Sequence, residues 1–229
     1  MADYREFLRV LRREPGRVTL FEPYIHRKIV SQLIWRSGDN LWDTTAHRVS
    51  TLIDLYAYIK SDVVPLEANR EDIADILACS PMLPDGMRFV ILSEDADALH
   101  IAAASDAVCA LGTGDIKLPR ESEKPMIFLA DSGDTNAVAE AAAQGFDGVH
   151  ISQNAEMLYP LAKGQIALLG GLSIEDINVS EPMVIHRRIK ALHTLTADGG
   201  YALGSGNCYG ETSYLGFISM LGIYNQLLN

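Results

Sequence analysis

The stretch 125–153 shows the hydrophobic pattern of this chain most clearly, because two short apolar runs flank an alanine-rich segment. The first run, 126–130, is followed by the sequence Asp-Ser-Gly-Asp, whose side chains can accept hydrogen bonds from the free amides at the start of a helix. Gly145 is suited to end that helix in the left-handed conformation, and the second apolar run, 146–151, favours a strand. Because the connections are short, we predict a right-handed β-α-β unit with two parallel strands.

The same alternation of strand and helix patterns continues along the chain. Eight apolar runs are predicted to form strands: 18–21, 63–66, 88–93, 105–111, 126–130, 146–151, 166–169 and 201–203. Helical patterns separate them, and the most regular repeats apolar residues at helical spacing through 45–60. This order predicts an α/β protein with a compact (β/α)8 TIM barrel, in a single domain that spans residues 1–229. An open doubly wound sheet is the alternative.

Composition and charge narrow the class of protein. The 229 residues are 48% hydrophobic and 21% charged, which is typical of a globular domain. The formal net charge of −11 argues against nucleic acid and anionic membranes as partners, because both attract clustered Lys and Arg. The amphipathic N-terminal segment lacks the apolar core of a signal peptide, and the three cysteines form no CxxC motif. We therefore expect a cytoplasmic protein.

Candidate chemistry lies where the predicted strands end, because a barrel of this type binds its ligand at the carboxyl ends of its strands. Carboxylates and histidines that converge there can shift one another's pKa values, transfer protons or bind a metal ion. His150 ends an apolar strand and would face the mouth if Val149 faces outward. For each of these side chains a solvated loop position is the alternative. The set comprises Glu22, His26, Asp62 or Glu67, Glu94, Asp131, His150, Ser173, Asn207 and Cys208.

Four stretches of the chain, taken in order, carry a resemblance to a known family. They are REFLRVLRREPGRVTLFEP, PMIFLADSGDTNAVAEAAAQGFDGVHIS, ALLGGLS and GGYALGSGN with the later ISMLGIYNQL. Together they resemble the uroporphyrinogen decarboxylase (URO-D) superfamily, whose TIM barrels include the decarboxylase of haem synthesis and the cobalamin-dependent methyltransferases. The segment from about Glu67 to Glu123 looks shortened.

The decarboxylase branch of the family is matched only in part. Its Ser-Asp pair, which binds the pyrrole nitrogens, corresponds to Ser61-Asp62. The arginines that bind the substrate carboxylates are replaced at best by Arg27 and Lys28, and the histidine of the last loop corresponds to Asn207. An acidic protein that lacks much of this cationic clamp is poorly suited to a carboxylate-rich porphyrinogen.

The methyltransferase branch binds zinc through a His-x-Cys motif and a later cysteine. The matching positions here are Ala130, Ser132 and Asn207, so the family's zinc motif is absent. A zinc site of a different kind would use His150 and Cys208.

The resemblance nevertheless implies corrinoid or one-carbon methyl transfer on a small methylated substrate, such as an amine or an ether. A corrinoid bound to a partner protein would be the nucleophile, and a carboxyl group of the barrel would orient the substrate and protonate the leaving group. Of the mouth residues, the predicted catalytic set is Asp131, His150, Asp62 and Glu22. The predicted substrate-binding set is His26, Glu67, Ser132, Gly171, Ser173 and Asn207.

Two further hypotheses remain open from the sequence. Gly170-Gly171 and Gly204-Ser205-Gly206 follow the last two predicted strands, where many TIM barrels bind phosphate through backbone amides. A non-catalytic relative that binds a ligand or a partner is the other hypothesis. An apolar stripe near the C-terminus would allow a homodimer, although core packing is the commoner fate of such a stripe; its members are Leu215, Ile218, Leu221 and Leu228.

Overall fold

Parallel strands in sequence order form the centre of the molecule. The computed structural model describes residues 2–34, 42–114, 122–130, 132–179, 181–206 and 212–227. In these ranges seven parallel strands pair as neighbours into one sheet that curls into a half-barrel. The strands are β1 (Val63–Glu67), β2 (Arg88–Leu92), β3 (Val108–Thr113), β4 (Met126–Leu129), β5 (Gly148–Ile151), β6 (Ala167–Gly170) and β7 (Tyr201–Ala202).

The expectation of a closed eight-stranded barrel is wrong, because the segment 18–21, predicted as the first strand, is not a strand of the sheet. Leu20 makes an isolated parallel bridge to Leu203, and the amide of Phe21 donates to the Leu203 carbonyl at 2.8 Å. The segment therefore runs beside β7, where an eighth strand would lie. On the side of this segment that faces away from β7, the Tyr56 hydroxyl donates to the Glu22 carbonyl at 2.5 Å. This carbonyl therefore bonds to a helix side chain and not to a neighbouring strand.

The helices follow the predicted alternation and cover the outside of the sheet. Helix α6 begins after Asp134, whose side chain accepts from the Ala137 amide at 2.9 Å, and ends at Gly145 with a φ of 81°. These are the local signals of the predicted β-α-β unit, and β4 and β5 pair in parallel as expected. The helices are α1 (Tyr4–Leu11), α2 (Arg27–Ile34), α3 (Thr45–Tyr58), α4 (Ile73–Ala78), α5 (Ala96–Ala103), α6 (Thr135–Gln144), α7 (Ala155–Ala162), α8 (Ile174–Asn178), α9 (Pro182–Thr196) and α10 (Tyr214–Leu227).

Side chains of the sheet alternate between two hydrophobic clusters. On β2, Val90 and Leu92 belong to the inner cluster, enclosed by the curled sheet, whereas Phe89 and Ile91 belong to the outer cluster between the sheet and the helices. Helix α1 packs on the inner cluster through residues such as Leu11. A Cβ on Gly148, at the start of β5, would lie 2.8 Å from a Leu11 methyl group, so α1 closes the amino ends of the strands. The carboxyl ends form the open mouth.

Two surface features bear on the predicted partners. Of the C-terminal apolar stripe, Leu221 is buried and Ile218 packs against the core, whereas Leu215 is 70% exposed. Two of its three described members therefore pack within the chain, Leu228 lies outside the described residues, and a homodimer stays a prediction. Among the described helices, none has both the length and the apolar character needed to cross a bilayer.

Candidate functional site

A cavity of about 830 Å³ lies at the carboxyl ends of β1 to β5, within the size range of small-molecule sites. Each of these strands contributes its last or nearly last residue to the lining. These residues are Glu67, Leu92, Thr113, Leu129 and His150. Glu67 is exposed at the rim, whereas His150 is only 2% exposed. The cavity therefore runs from solvent down to the inner face of the sheet.

His150 lies on the inner face of β5. Its neighbours Val149 and Ile151 belong to the outer cluster, so strand alternation turns the imidazole inward. Its Nε2 lies 3.0 Å from the Ser205 carbonyl oxygen. Because a carbonyl only accepts, Nε2 must carry the proton and Nδ1 must be the basic nitrogen. Burial lowers the pKa of His150 to about 4, which keeps the ring neutral at physiological pH.

His150 lines the cavity, and because its Nε2–Cδ2 edge packs against Gly170, we infer that Nδ1 is the ring nitrogen on the cavity side. Nδ1 has no hydrogen-bond partner among the described residues and is not sealed off from solvent. The opposite edge of the ring packs against Gly170, where a Cβ would lie 2.7 Å from Nε2. Gly170 also has a φ of 80°, which only glycine adopts readily. The local backbone thus orients the ring and leaves Nδ1 as an acceptor at the cavity floor.

Glu22 lies behind this floor, linked to His150 through Ser205. The Ser205 amide donates to Glu22 Oε1 at 2.7 Å, and the Ser205 hydroxyl donates to Oε2. Glu22 is 1% exposed, and burial raises the pKa of its carboxyl to about 7 despite these two hydrogen bonds. We call Glu22, His150 and Ser205 the buried polar cluster. Near neutral pH its carboxyl group is close to half protonated.

Three other predicted residues join His150 at the cavity, and a fourth lies next to it. Glu67, Glu94 and Ser132 all line the cavity. His26 lines an adjoining pocket of about 310 Å³, which shares Tyr24, Arg48 and Glu67 with the main cavity. Glu22 is not among the residues that line this cavity, and its contacts connect it to the cavity through Ser205 and His150.

Asp62 requires a correction, because it lies at the opposite end of β1 from the cavity. It directly precedes the strand, where its carboxylate is paired with Arg17 and accepts from the Asp3 amide at 2.8 Å. Asp62 is fully buried, and burial raises its pKa. It therefore ties the N-terminal segment to the closed end of the sheet and does not belong to the mouth.

Gly171 and Ser173 have local structural tasks. Gly171 has a φ of 90°, and a Cβ there would lie 2.5 Å from the Ala155 methyl group. Ser173 caps α8, its hydroxyl accepting from the Asp176 amide at 3.1 Å. The remaining predicted site residues, Asp131, Asn207 and Cys208, lie outside the described residues.

The predicted metal and phosphate sites can be compared with these contacts. Within the described ranges, no group of three or more His, Cys, Asp or Glu side chains is placed to hold a metal ion, and zinc binding by His150 with Cys208 stays a prediction. Four of the amides on this side of the mouth are already used within the protein. Those of Gly171, Leu172 and Gly206 donate to the carbonyls of Ile151, Gly204 and Leu172. The Ser205 amide is bound to Glu22, so this side of the mouth does not favour a phosphate.

Comparison with known proteins identifies the fold. A solved structure of a methyltransferase from Methanosarcina mazei is similar over 98% of this chain and 98% of that one, with a TM-score of 0.68 and 10% sequence identity. The likeness is one of fold. No protein-family model and no curated protein sequence matches the chain. The chain thus shares its fold with that solved structure, and the narrower resemblance to the URO-D superfamily stays a prediction.

Sequence reasoning missed several residues of the site. Ser205 connects Glu22 to His150, yet from the sequence it was only part of a glycine-rich turn. Arg48 lines the cavity from a helix that follows no strand, so a search for polar residues directly after strands cannot find it. Tyr24 also lines the cavity, from the loop between the predicted residues Glu22 and His26. The helical pattern of α3 does place Arg48 one residue before the buried Val49, at the edge of the face that packs on the sheet.

Proposed function

We propose that this protein transfers the methyl group of a small methylated substrate bound in the cavity. The observation that carries the proposal is a deep cavity with the neutral His150 at its floor, at the carboxyl edge of a barrel whose fold is that of a methyltransferase. In barrels of this kind, the carboxyl edge is where chemistry takes place.

His150 Nδ1 would hold the substrate by accepting a hydrogen bond from an N–H or O–H group at or beside the atom that carries the methyl group. This contact directs the methyl group away from the floor and toward the open rim, where an acceptor can approach. The bond between carbon and the heteroatom breaks, the acceptor binds the methyl carbon, and the electron pair stays on the heteroatom. A protonated amine then leaves as a neutral amine, whereas an ether oxygen takes up a proton from water at the open rim. The resemblance to cobalamin-dependent methyltransferases points to a corrinoid on a partner protein, which would supply the nucleophile when bound.

Glu22 has a different task from the one that the sequence suggested. Because Ser205 separates it from the cavity, it cannot protonate a leaving group directly. Its two hydrogen bonds fix Ser205, whose carbonyl in turn fixes the tautomer of His150. Glu22 and Ser205 are thus positioning residues for the nitrogen that contacts the substrate.

Porphyrinogen decarboxylation, the alternative suggested by the family, is not favoured by the cavity. A porphyrinogen substrate is rich in carboxylates and needs a cationic clamp. The described lining contains one guanidinium, Arg48, and its charge is paired with Asp72 at 2.8 Å.

The test is a transfer assay with ¹³C-methyl-labelled amines and ethers, with reduced cobalamin as acceptor and NMR detection of methylcobalamin. We expect turnover by the wild type and a loss of about 100-fold or more in kcat/KM for His150→Ala, because the substrate loses its orientation. Glu175→Gln, an exposed change on α8, is the matched control and should keep full activity. Equal activity in wild type and His150→Ala, or no transfer from either substrate class, would overturn the proposal.

A further inference from the structure

The cavity described above carries a strongly negative lining. Five carboxylate side chains and one guanidinium lie among its described residues, and His150 adds a neutral imidazole. The carboxylates belong to Glu67, Asp72, Glu94, Asp134 and Glu140. A concave surface lined by one sign of charge concentrates ligands of the opposite sign.

Three of these carboxylates are already engaged within the protein. Asp72 is paired with Arg48 at 2.8 Å. Asp134 caps α6, and Glu140 accepts from the Gln144 side chain at 2.8 Å. These groups have local partners, so their presence alone would not indicate a ligand.

Glu67 and Glu94 differ from the other three. Neither makes an ion pair or a side-chain hydrogen bond in the ranges that the structure describes. They lie close along the sheet, because Glu67 is in register with Leu92 on the neighbouring strand and Glu94 follows two residues later. Two carboxylates without a counter-charge thus stand at neighbouring strand ends on one side of the cavity.

The floor supplies an independent observation that points to a ligand. His150 is 2% exposed, and its Nδ1 faces the cavity with no partner among the described residues. As the unprotonated nitrogen of a neutral imidazole, it can only accept a hydrogen bond. The acceptor at the floor favours a ligand that donates a hydrogen bond, and the carboxylates at the rim favour a ligand with positive charge.

One aromatic side chain favours the same kind of ligand. Tyr24 contributes to the lining and packs against the inner cluster, on the side of the sheet where His150 lies. Ring faces attract alkylated ammonium groups, which are weakly hydrated cations with apolar methyl surface. A carboxylate or phosphate ligand would meet unpaired negative charge in the same place.

We propose that the cavity binds a protonated methylated amine, with its N–H donating to His150 Nδ1 and its charge facing Glu67 and Glu94. This rests on the proposed function, of which it names the substrate class. The amine nitrogen then leaves as a neutral amine when its methyl group is transferred, so no separate proton donor is required. A quaternary ammonium ion has the charge but lacks the N–H, and a neutral alcohol has the donor but lacks the charge.

Calorimetric titration at pH 7 and low salt with three ligands of similar size separates these contributions. We expect trimethylammonium to bind more tightly than tetramethylammonium, and both more tightly than tert-butanol. Glu67→Gln and Glu94→Gln should each weaken trimethylammonium binding by roughly two- to fivefold, since partly exposed charges contribute modestly. Raising the salt concentration should reduce the difference in trimethylammonium affinity between the wild type and these two variants. Glu175→Gln makes the same charge change outside the cavity and should leave binding unchanged.

His150→Phe tests the contact at the floor, and it should remove the preference for trimethylammonium over tetramethylammonium. The two rim variants change exposed side chains and keep the proposal testable if His150→Phe fails to fold. Binding of tert-butanol as tight as that of trimethylammonium, or no effect of the rim variants, would overturn the proposal. If trimethylammonium binds as expected but no methyl is transferred, the ligand class stands and the proposed function fails. If only neutral ethers are demethylated, the function stands and this inference fails.

Discussion

Burial shifts the pKa values of Glu22 and His150 in opposite directions. The variant Glu22→Gln should separate their effects on the free energy of unfolding. Burial raises the pKa of Glu22 from 4.5 to about 7, so the folded state binds the proton more tightly than the unfolded state does. The contribution of Glu22 to the free energy of unfolding is therefore fully present below pH 4.5 and is lost as the pH rises to 7. Burial lowers the pKa of His150 from 6.5 to about 4. The contribution of His150 to the free energy of unfolding is therefore present above pH 6.5 and is lost as the pH decreases to 4.

The two effects are similar in size and overlap in pH. Each shift corresponds to about 3 kcal/mol in the free energy of unfolding, a sizeable part of the stability of a typical domain. Between pH 4.5 and 6.5 the loss from Glu22 and the gain from His150 cancel in the wild type. Glutamine keeps the shape and can still accept from the Ser205 amide, but it carries no titratable proton. Glu22→Gln should therefore gain about 3 kcal/mol relative to the wild type between pH 4.5 and 7.

Urea denaturation at half-unit steps from pH 4 to 8 measures this difference directly. The difference between variant and wild type removes the background of all other titrating groups, and it should level off above pH 7. Glu175→Gln, which replaces an exposed carboxylate on α8, is the matched control for the removal of a carboxyl group. A flat difference curve for Glu22→Gln would refute the argument, because it would mean that the buried carboxyl titrates as it does in the unfolded chain.

Three further predictions concern the same part of the molecule. Gly170→Ala should destabilise the fold by about 2 kcal/mol or more, since its φ is left-handed and its Cβ would press on His150; urea denaturation equal to wild type would contradict this. Ser205→Ala should cost roughly 1–3 kcal/mol by removing the hydroxyl donor to Glu22. That cost should be larger at pH 8 than at pH 5, because the ionised carboxylate is the stronger acceptor. A cost that does not change with pH would contradict this role of the Ser205 hydroxyl. The Cys109 thiol, whose pKa burial raises to about 12, should resist iodoacetamide at pH 8 in the folded protein and react after unfolding, as followed by peptide mapping.

The fold could be predicted where the signals are local. The unit formed by β4, α6 and β5 was predicted closely because Asp134 and Gly145 mark the two ends of its helix by their own chemistry. Helix α8 was missed because its five residues are too few to show a helical period. Its sequence still contained a signal, since Ser173 and Asp176 are spaced as in a capping motif. Local capping chemistry was thus more informative there than the hydrophobic pattern.

The buried polar cluster could not be predicted, because its central contact is not local. Glu22 and Ser205 are 183 positions apart in the chain. Their contact exists because the segment after Leu20 runs beside β7 and brings Glu22 next to the turn that contains Ser205. A sequence pattern can assign each residue to a strand end. Only the closing of the sheet decides which neighbours those strand ends meet.

The two ends of β1 show why strand direction decides what a carboxylate does in this fold. The sequence left Asp62 and Glu67 as alternatives for one place in the mouth, and the structure puts them at opposite ends of the same strand. At the amino end α1 excludes water, so a carboxylate there needs a fixed partner, which Arg17 provides. At the carboxyl end the strand opens to the cavity, and Glu67 remains hydrated without a partner among the described residues. A hydrated carboxylate can be retained without an internal cation and can attract one from solution, so Glu67, and not Asp62, is the residue of β1 available to a ligand.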